Sequence, residues 1–314
     1  MPPVNAMPCT RLRSHVRAAS IPFAAALFIV LLTGPPASAQ APADPAPVPQ
    51  PPSTTAAVQQ PATQPDAQNL SDARVDPLQP DFTLAALPVT LRLPEHKLAF
   101  RVTHRFTRSL GEGDFGDLLS NFFGFDTGAQ IGLELRYGLF PGTQVGIHRT
   151  SDRTIELFGQ HSFWREGPRP VAIDGIATFE GANNLRDQHS GTFGAIVSRK
   201  LAKKAAVYVE PLFVVNTNAL PSNAAPANNT FMLGLGTRVR IRPTTYVIAE
   251  VTPRLAGYDP GVNQASFALE KRVGGHTFQV NVSNGFGTTL GQITRGGVSN
   301  NSWFIGFNIS RKFF

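Results

Sequence analysis

The chain of 314 residues carries 28 Lys and Arg against 21 Asp and Glu, a formal net charge of +7, and a single cysteine. One thiol excludes an internal disulfide framework, a zinc–cysteine site and C-x-x-C-H haem attachment. Charges of both signs recur without a basic block, which excludes the usual footprint of a nucleic-acid binder.

The N-terminal segment reads as an export signal. Arg11, Arg13 and Arg17 precede an apolar run from Ala18 to Leu32, and Ala37-Ser38-Ala39 supplies small residues for cleavage before Gln40. The run falls short of the about 20 apolar residues of a comfortable spanning helix. Removing residues 1–39 takes Cys9 and three arginines with them, leaving a balance of 25 − 21 = +4. From Gln40 to about Pro80 the chain holds ten prolines and almost no aromatic or branched apolar residue. Such a composition cannot offset its ordering entropy, so residues 40–90 are expected to form a Pro/Ala-rich disordered periplasmic segment, a tether through which a periplasmic partner could be held.

Residues 91–314 are expected to form one β-barrel. No helical periodicity is sustained beyond Lys97, whereas period-two alternation recurs. Leu98, Phe100 and Val102 alternate with Ala99, Arg101 and Thr103; Ile131, Leu133, Leu135 and Tyr137 alternate with Gln130, Gly132, Glu134 and Arg136. The same pattern returns at Phe231–Arg242, Thr277–Ser283 and Trp303–Ser310. Strands of nine to twelve residues suit a tilted membrane crossing better than a soluble sandwich. Short links such as Phe140-Pro141-Gly142, Arg242-Pro243 and Val273-Gly274-Gly275 also alternate with longer ones near 109–127, 181–190, 217–229, 256–263 and 285–301. Aromatic residues near strand ends, among them Tyr137, Phe140, Phe163, Trp164, Phe179, Trp303 and Phe313, would form interfacial girdles.

The expected fold is thus an all-β transmembrane antiparallel barrel of about 12 strands in the outer membrane of a Gram-negative cell. The predicted strands are 97–107, 128–139, 143–150, 153–165, 170–181, 190–200, 205–216, 229–242, 244–255, 264–272, 276–284 and 302–313. Pro211 and Pro253 lie inside two of them, where each predicts a bulge or a shorter strand.

Several segments resemble a family of bacterial outer-membrane barrels known as domain of unknown function five-seven-seven-seven. They are FGFDTGAQIGLELRYGL (Phe123–Leu139), VGIHRTSDRTIELFGQHSFWRE (Val145–Glu166), GGHTFQVNVSNGFG (Gly274–Gly287) and FIGFNISRKF (Phe304–Phe313). The resemblance implies a membrane-embedded barrel and no particular activity.

The inward phase assigns Arg101, Arg105, Glu134, Arg136, Glu210, Arg238, Arg240, Arg242, Glu250, Arg254, Glu270 and Arg272 to the lumen, together with Glu156, Asp174 and Glu180. Such charges either select permeating ions or pair and fill a narrow barrel, and about twelve strands lie between the filled and the open cases. The row Arg238, Arg240 and Arg242 would concentrate positive charge, or pair with Glu210 and Glu250. In the first long loop Leu118, Leu119, Phe122 and Phe123 fit a short amphipathic helix, which would either constrict the mouth or pack on the rim.

No catalytic constellation is expected. His161-Ser162 and His189-Ser190 are adjacent, so in a strand each pair splits between the two faces, and the scattered histidines match no metal motif. No cofactor is expected, and the expected partner is membrane lipid. Two functions fit: a small porin-like channel or transporter for small polar or charged solutes, or a closed barrel that anchors a periplasmic or surface partner.

Overall fold

The structure is a computed structural model that describes residues 76–218 and 228–313. The predicted signal peptide and most of the predicted tether lie outside the described residues.

Among the described residues, thirteen strands make one antiparallel sheet. They are β1 (Leu98–Phe106), β2 (Ala129–Phe140), β3 (Thr143–Thr150), β4 (Ile155–Trp164), β5 (Ala172–Gly181), β6 (Asp187–Leu201), β7 (Ala205–Val215), β8 (Thr230–Arg242), β9 (Thr245–Thr252), β10 (Arg254–Gly257), β11 (Gln264–Val273), β12 (His276–Ser283) and β13 (Phe304–Phe313). Strands adjacent in sequence pair, except that β8 pairs with both β9 and β10 and β9 pairs onward with β11, and β1 pairs with β13 from Leu98↔Phe313 to Arg105↔Gly306, which closes the sheet into a barrel. β9 and β10 are two halves of one stave, so the barrel has twelve. Pro253 divides them, and a bulge follows between Arg254 and Ala256, as a residue without an N–H predicts.

Pro211 behaves differently from the sequence expectation. It neither shifts the register nor shortens β7; the ladder to β6 simply lapses between Gly194↔Leu212 and Val197↔Val209, while Pro211 stays paired with Leu233 of β8. The missing donor therefore faces one neighbour only.

The oily face of the strands points outward. Leu98, Phe100, Leu133, Leu135, Leu157, Phe193, Val247, Leu269 and Val280 are all exposed, while their alternates are buried. An apolar outer band with a polar interior is the membrane-barrel arrangement and the inverse of a soluble sandwich. Both termini of the barrel and most of its tight turns gather at one end, the turn end; the longer connections gather at the other, the loop end, where the tight link 151–154 between β3 and β4 is the exception. The Gly274-Gly275 turn is a two-residue hairpin between paired Val273 and His276, with Gly274 at φ 55°, where glycine carries no steric penalty.

One boundary needs correction. The expected tether runs to residue 90, yet residues 78–90 lie inside the barrel, with Leu84, Leu87 and Val89 fully buried. The physical reason is local composition: from Leu78 onward the chain regains Leu, Phe and Val, enough apolar surface to offset ordering once a lumen surrounds it.

Candidate functional site in the barrel interior

Two insertions meet in the lumen. From the turn end, residues 78–93 run in and back as a hairpin, with a bridge between Thr83 and Pro88 and hydrogen bonds from Leu84 N–H to Leu87 O (2.7 Å) and Val89 N–H to Phe82 O (2.9 Å). This hairpin adds no strand to the barrel. From the loop end, the connection after β12 folds inward as a short helix, α1 (Leu290–Thr294), all of whose residues are buried. Thr289 caps it in a reciprocal box with Gln292. Leu84, Ala86, Leu87 and Val89 of the hairpin share one apolar cluster with Leu290 and Ile293 of the helix.

Wall charges hold both insertions by their backbones. Glu250 of β9 accepts from three successive hairpin amides, Ala85 (3.0 Å), Ala86 (3.0 and 3.1 Å to its two oxygens) and Leu87 (3.1 Å). Consecutive N–H groups converging on one anion form a nest. The hairpin carbonyls are met in turn: Thr83 by Arg238 (2.6 Å), Leu84 by Gln279 (3.0 Å), Ala85 by Asn308 (2.9 Å) and Arg105 (3.2 Å), and Val89 by Gln160 (2.8 Å). At the other insertion, Leu290 N–H donates to Glu156 (2.8 Å) and Gly291 N–H to Glu180 (3.2 Å), which also accepts from Thr289 (2.6 Å) and Arg295 (3.3 Å). Carboxylates at a helix start are favourably placed.

Several other interior charges pair with each other. Glu134 bridges Arg101 and Arg136 at 2.9 Å each, and Arg136 stacks over Phe158 at 4.5 Å. Arg238 pairs with Glu270 at 3.1 Å, both fully buried, and Arg254 with Asp259. A cavity between hairpin, wall and helix, bordered by Thr83, Arg101, Glu134, His148 and Leu290, leaves about 30 Å³ for water centres, room for about two waters. Hairpin and helix thus fill the middle of the lumen.

Of the predicted lumen residues, Arg101, Arg105, Glu134, Arg136, Glu210, Arg238, Glu250, Arg254 and Glu270 are buried in the interior. The arginine row does not stay together: Arg238 is inside, Arg240 is half-buried and Arg242 is exposed beyond a bulge at the turn end. Arg272 is half-buried near the same end. Arg238 takes Glu270 as partner rather than Glu210 or Glu250; Glu250 is occupied by the hairpin amides, and Glu210, fully buried, has neither carboxylate oxygen hydrogen-bonded. Asp174 accepts from Ser162 (2.5 Å) and Gln160 (2.7 Å), whereas His161 bonds Thr143 among exposed residues. His161 and Ser162 therefore occupy opposite faces, as their adjacency requires. Among the described residues no group of three or more metal-ligating side chains assembles.

Sequence reasoning missed the hairpin contacts and the inward apolar wall of Ile176, Ile196, Tyr208, Leu212, Met232 and Ile248 on β5 to β9. Gly234 and Gly236 of β8 were the available signal. A Cβ on Gly236 would lie 2.1 Å from Leu84 Cδ1, and one on Gly234 3.1 Å from Leu87 Cδ2, so paired inward glycines mark where another backbone segment presses on the wall.

No curated protein sequence matches the chain. Among solved structures it is similar to the KdgM porin (8% identity, TM-score 0.45, covering 69% of this chain and 99% of that one) and to the NanC porin (8%, TM-score 0.46, 69% and 99%). It is also similar to outer membrane phospholipase A from Escherichia coli (11%, TM-score 0.40, 69% and 90%). A family model described as "Membrane bound beta barrel domain (DUF5777)" matches residues 83–313, starting inside the hairpin. The chain belongs to this family of membrane-bound β-barrels.

Proposed function

We propose that the protein is an outer-membrane channel, closed at rest by its own N-terminal hairpin, through which small polar or charged solutes pass only when the hairpin leaves the lumen. The observation that carries this reading is the independence of hairpin and barrel: twelve staves close without it, and its polar fastenings run from wall side chains to its own backbone rather than through a strand ladder. Behind it stands a wall of Arg101, Arg105, Glu134, Arg238, Glu250 and Glu270, charges able to act on a permeating ion once uncovered. With short turns on the periplasmic side, the hairpin enters from the periplasm and α1 from outside.

Withdrawal is not spontaneous. Leu78, Phe82, Leu84, Leu87, Val89 and Leu93 are buried to 5% exposure or less, and at about 1.5–3 kcal/mol each their burial holds the hairpin by about 9–18 kcal/mol. Opening requires an agent that binds the open state, such as a periplasmic partner on the N-terminal segment. A second reading, a permanently closed anchor, draws support from the inward apolar wall on β5 to β9, which a polar solute would not need.

Planar-bilayer recordings separate the two. The full-length barrel is expected to be silent, and a chain lacking residues 76–90 to give reproducible, ion-selective steps. Silence from a deletion barrel that retains heat-modifiable migration on gels overturns the channel and leaves the anchor. Should the deletion not fold, Leu84→Ala with Glu250→Gln loosens the hairpin in an intact chain, and brief openings are expected in its place.

A further inference from the structure

The first long connection, between β1 and β2, neither constricts the mouth nor is covered by the barrel. It forms a second short helix, α2 (Phe115–Ser120), followed by a tight turn at Phe122–Gly124 in which Phe122 and Phe123 take left-handed backbone angles. Asp114 and Asp117 close a capping box at its start. Arg108 ties the connection together, donating to the carbonyls of Glu112 (2.9 Å) and Asp117 (3.0 Å).

Phe115 and Leu119 share one face of α2 at i and i+4, and Phe122 follows just beyond the helix end, in the left-handed backbone region at φ 45°. They are 69%, 53% and 61% exposed, and Phe125 is 46% exposed. The end of this stripe rests on the outside of the barrel. Phe125 lies 4.3 Å from Phe106 and 5.4 Å from Phe122 between ring centroids. Phe106 in turn neighbours Phe307 (6.3 Å), which stacks on His104 (4.7 Å). His104 and Phe106 share the outward phase of Phe100 and Val102 on β1, so the stripe continues the lipid-facing band past the strand ends.

We propose that the segment Phe115–Phe125 is a lipid-inserted foot whose four apolar side chains enter the membrane leaflet at the loop end beside β1. Its polar side, with Asp114, Asp117 and Asn121, faces away from that stripe in the manner of an interfacial helix. The occupant is lipid because the stripe is continuous with a surface that lipid already covers.

The test places tryptophan at the foot in a Trp164→Phe, Trp303→Phe background, using Phe122→Trp and Phe115→Trp in turn. Leu133→Trp, on the outward face of β2, serves as the lipid-exposed standard. The proteins are reconstituted in phosphatidylcholine vesicles with or without dibrominated acyl chains. Quenching of the foot tryptophans at least half that of Leu133→Trp is expected. Less than about a tenth, with strong quenching by aqueous acrylamide, places the foot in water and overturns the proposal. Protection from both quenchers, with cross-linked dimers, assigns the stripe to a second copy and overturns it equally.

Discussion

Replacing Glu250 by Gln tests whether the nest holds the hairpin. Three amides converge on this carboxylate at 3.0–3.1 Å, and a hydrogen bond to a charged group contributes about 1.5–3 kcal/mol, so the nest supplies about 4.5–9 kcal/mol. Glutamine keeps one neutral oxygen, roughly half as strong an acceptor, and turns an NH₂ toward donors. About 2–4 kcal/mol should be lost, which at 1.4 kcal/mol per decade lowers amide protection at Ala85, Ala86 and Leu87 by about 30- to 1,000-fold. Hydrogen exchange followed by mass spectrometry on the detergent-folded barrel reads this directly, with β1 and β13 amides as internal controls. Glu210→Gln is the companion: that carboxyl has no hydrogen-bond partner, so hairpin protection should stay within about twofold. Unchanged protection in Glu250→Gln, or equal losses in both variants, would refute the nest as the fastening.

Arg238→Ser leaves Glu270 buried without its partner and should cost about 3–5 kcal/mol, seen as a lower midpoint in heat-modifiable gel migration, while exposed Arg242→Ser should change stability by less than about 0.5 kcal/mol. The reverse order would remove Arg238 from the interior lattice. Gly236→Val drives a side chain into Leu84, an overpacking of about 1–3 kcal/mol, and should render the hairpin open to limited proteolysis. Gly159→Val, whose added Cβ meets nothing within 4 Å, should leave cleavage unchanged.

The barrel was legible because its physics is written residue by residue: alternation fixes which side of β2 or β12 meets lipid, and Pro253 marks its own bulge. The hairpin was not, because its apolar residues obey no strand or helix period and follow directly on a proline-rich stretch that cannot fold. Its traces lie elsewhere in the chain. Met232 and Tyr208 are apolar where a water-filled lumen calls for polar groups, and Gly234 and Gly236 leave gaps that only a neighbour such as Leu84 or Leu87 explains. Alternation puts Glu210, Glu250 and Glu270 on one face of their strands, and all three are buried, yet the choice of partner depends on the register of distant strands. The pairing of Arg238 with Glu270 instead of Glu250 is invisible until β8, β9 and β11 are set side by side. The first loop departs from the expected stripe of Leu118, Leu119, Phe122 and Phe123, because the helix ends at Ser120 and Phe122 and Phe123 take left-handed backbone angles, so helical spacing does not carry through them.

The hairpin leads into β1 through only Pro94–Lys97, with His96 N–H bonded to Gly138 O at the foot of β2. Leaving the lumen therefore never frees it from the barrel. A binder on so short a leash is present at its site at millimolar effective concentration, so a peptide of the same sequence supplied at micromolar level in solution would lose the competition about a thousandfold. An agent that opens this barrel must accordingly capture the hairpin and keep its leucines covered for as long as passage lasts; one that merely displaces it and departs would see the lumen reseal at once.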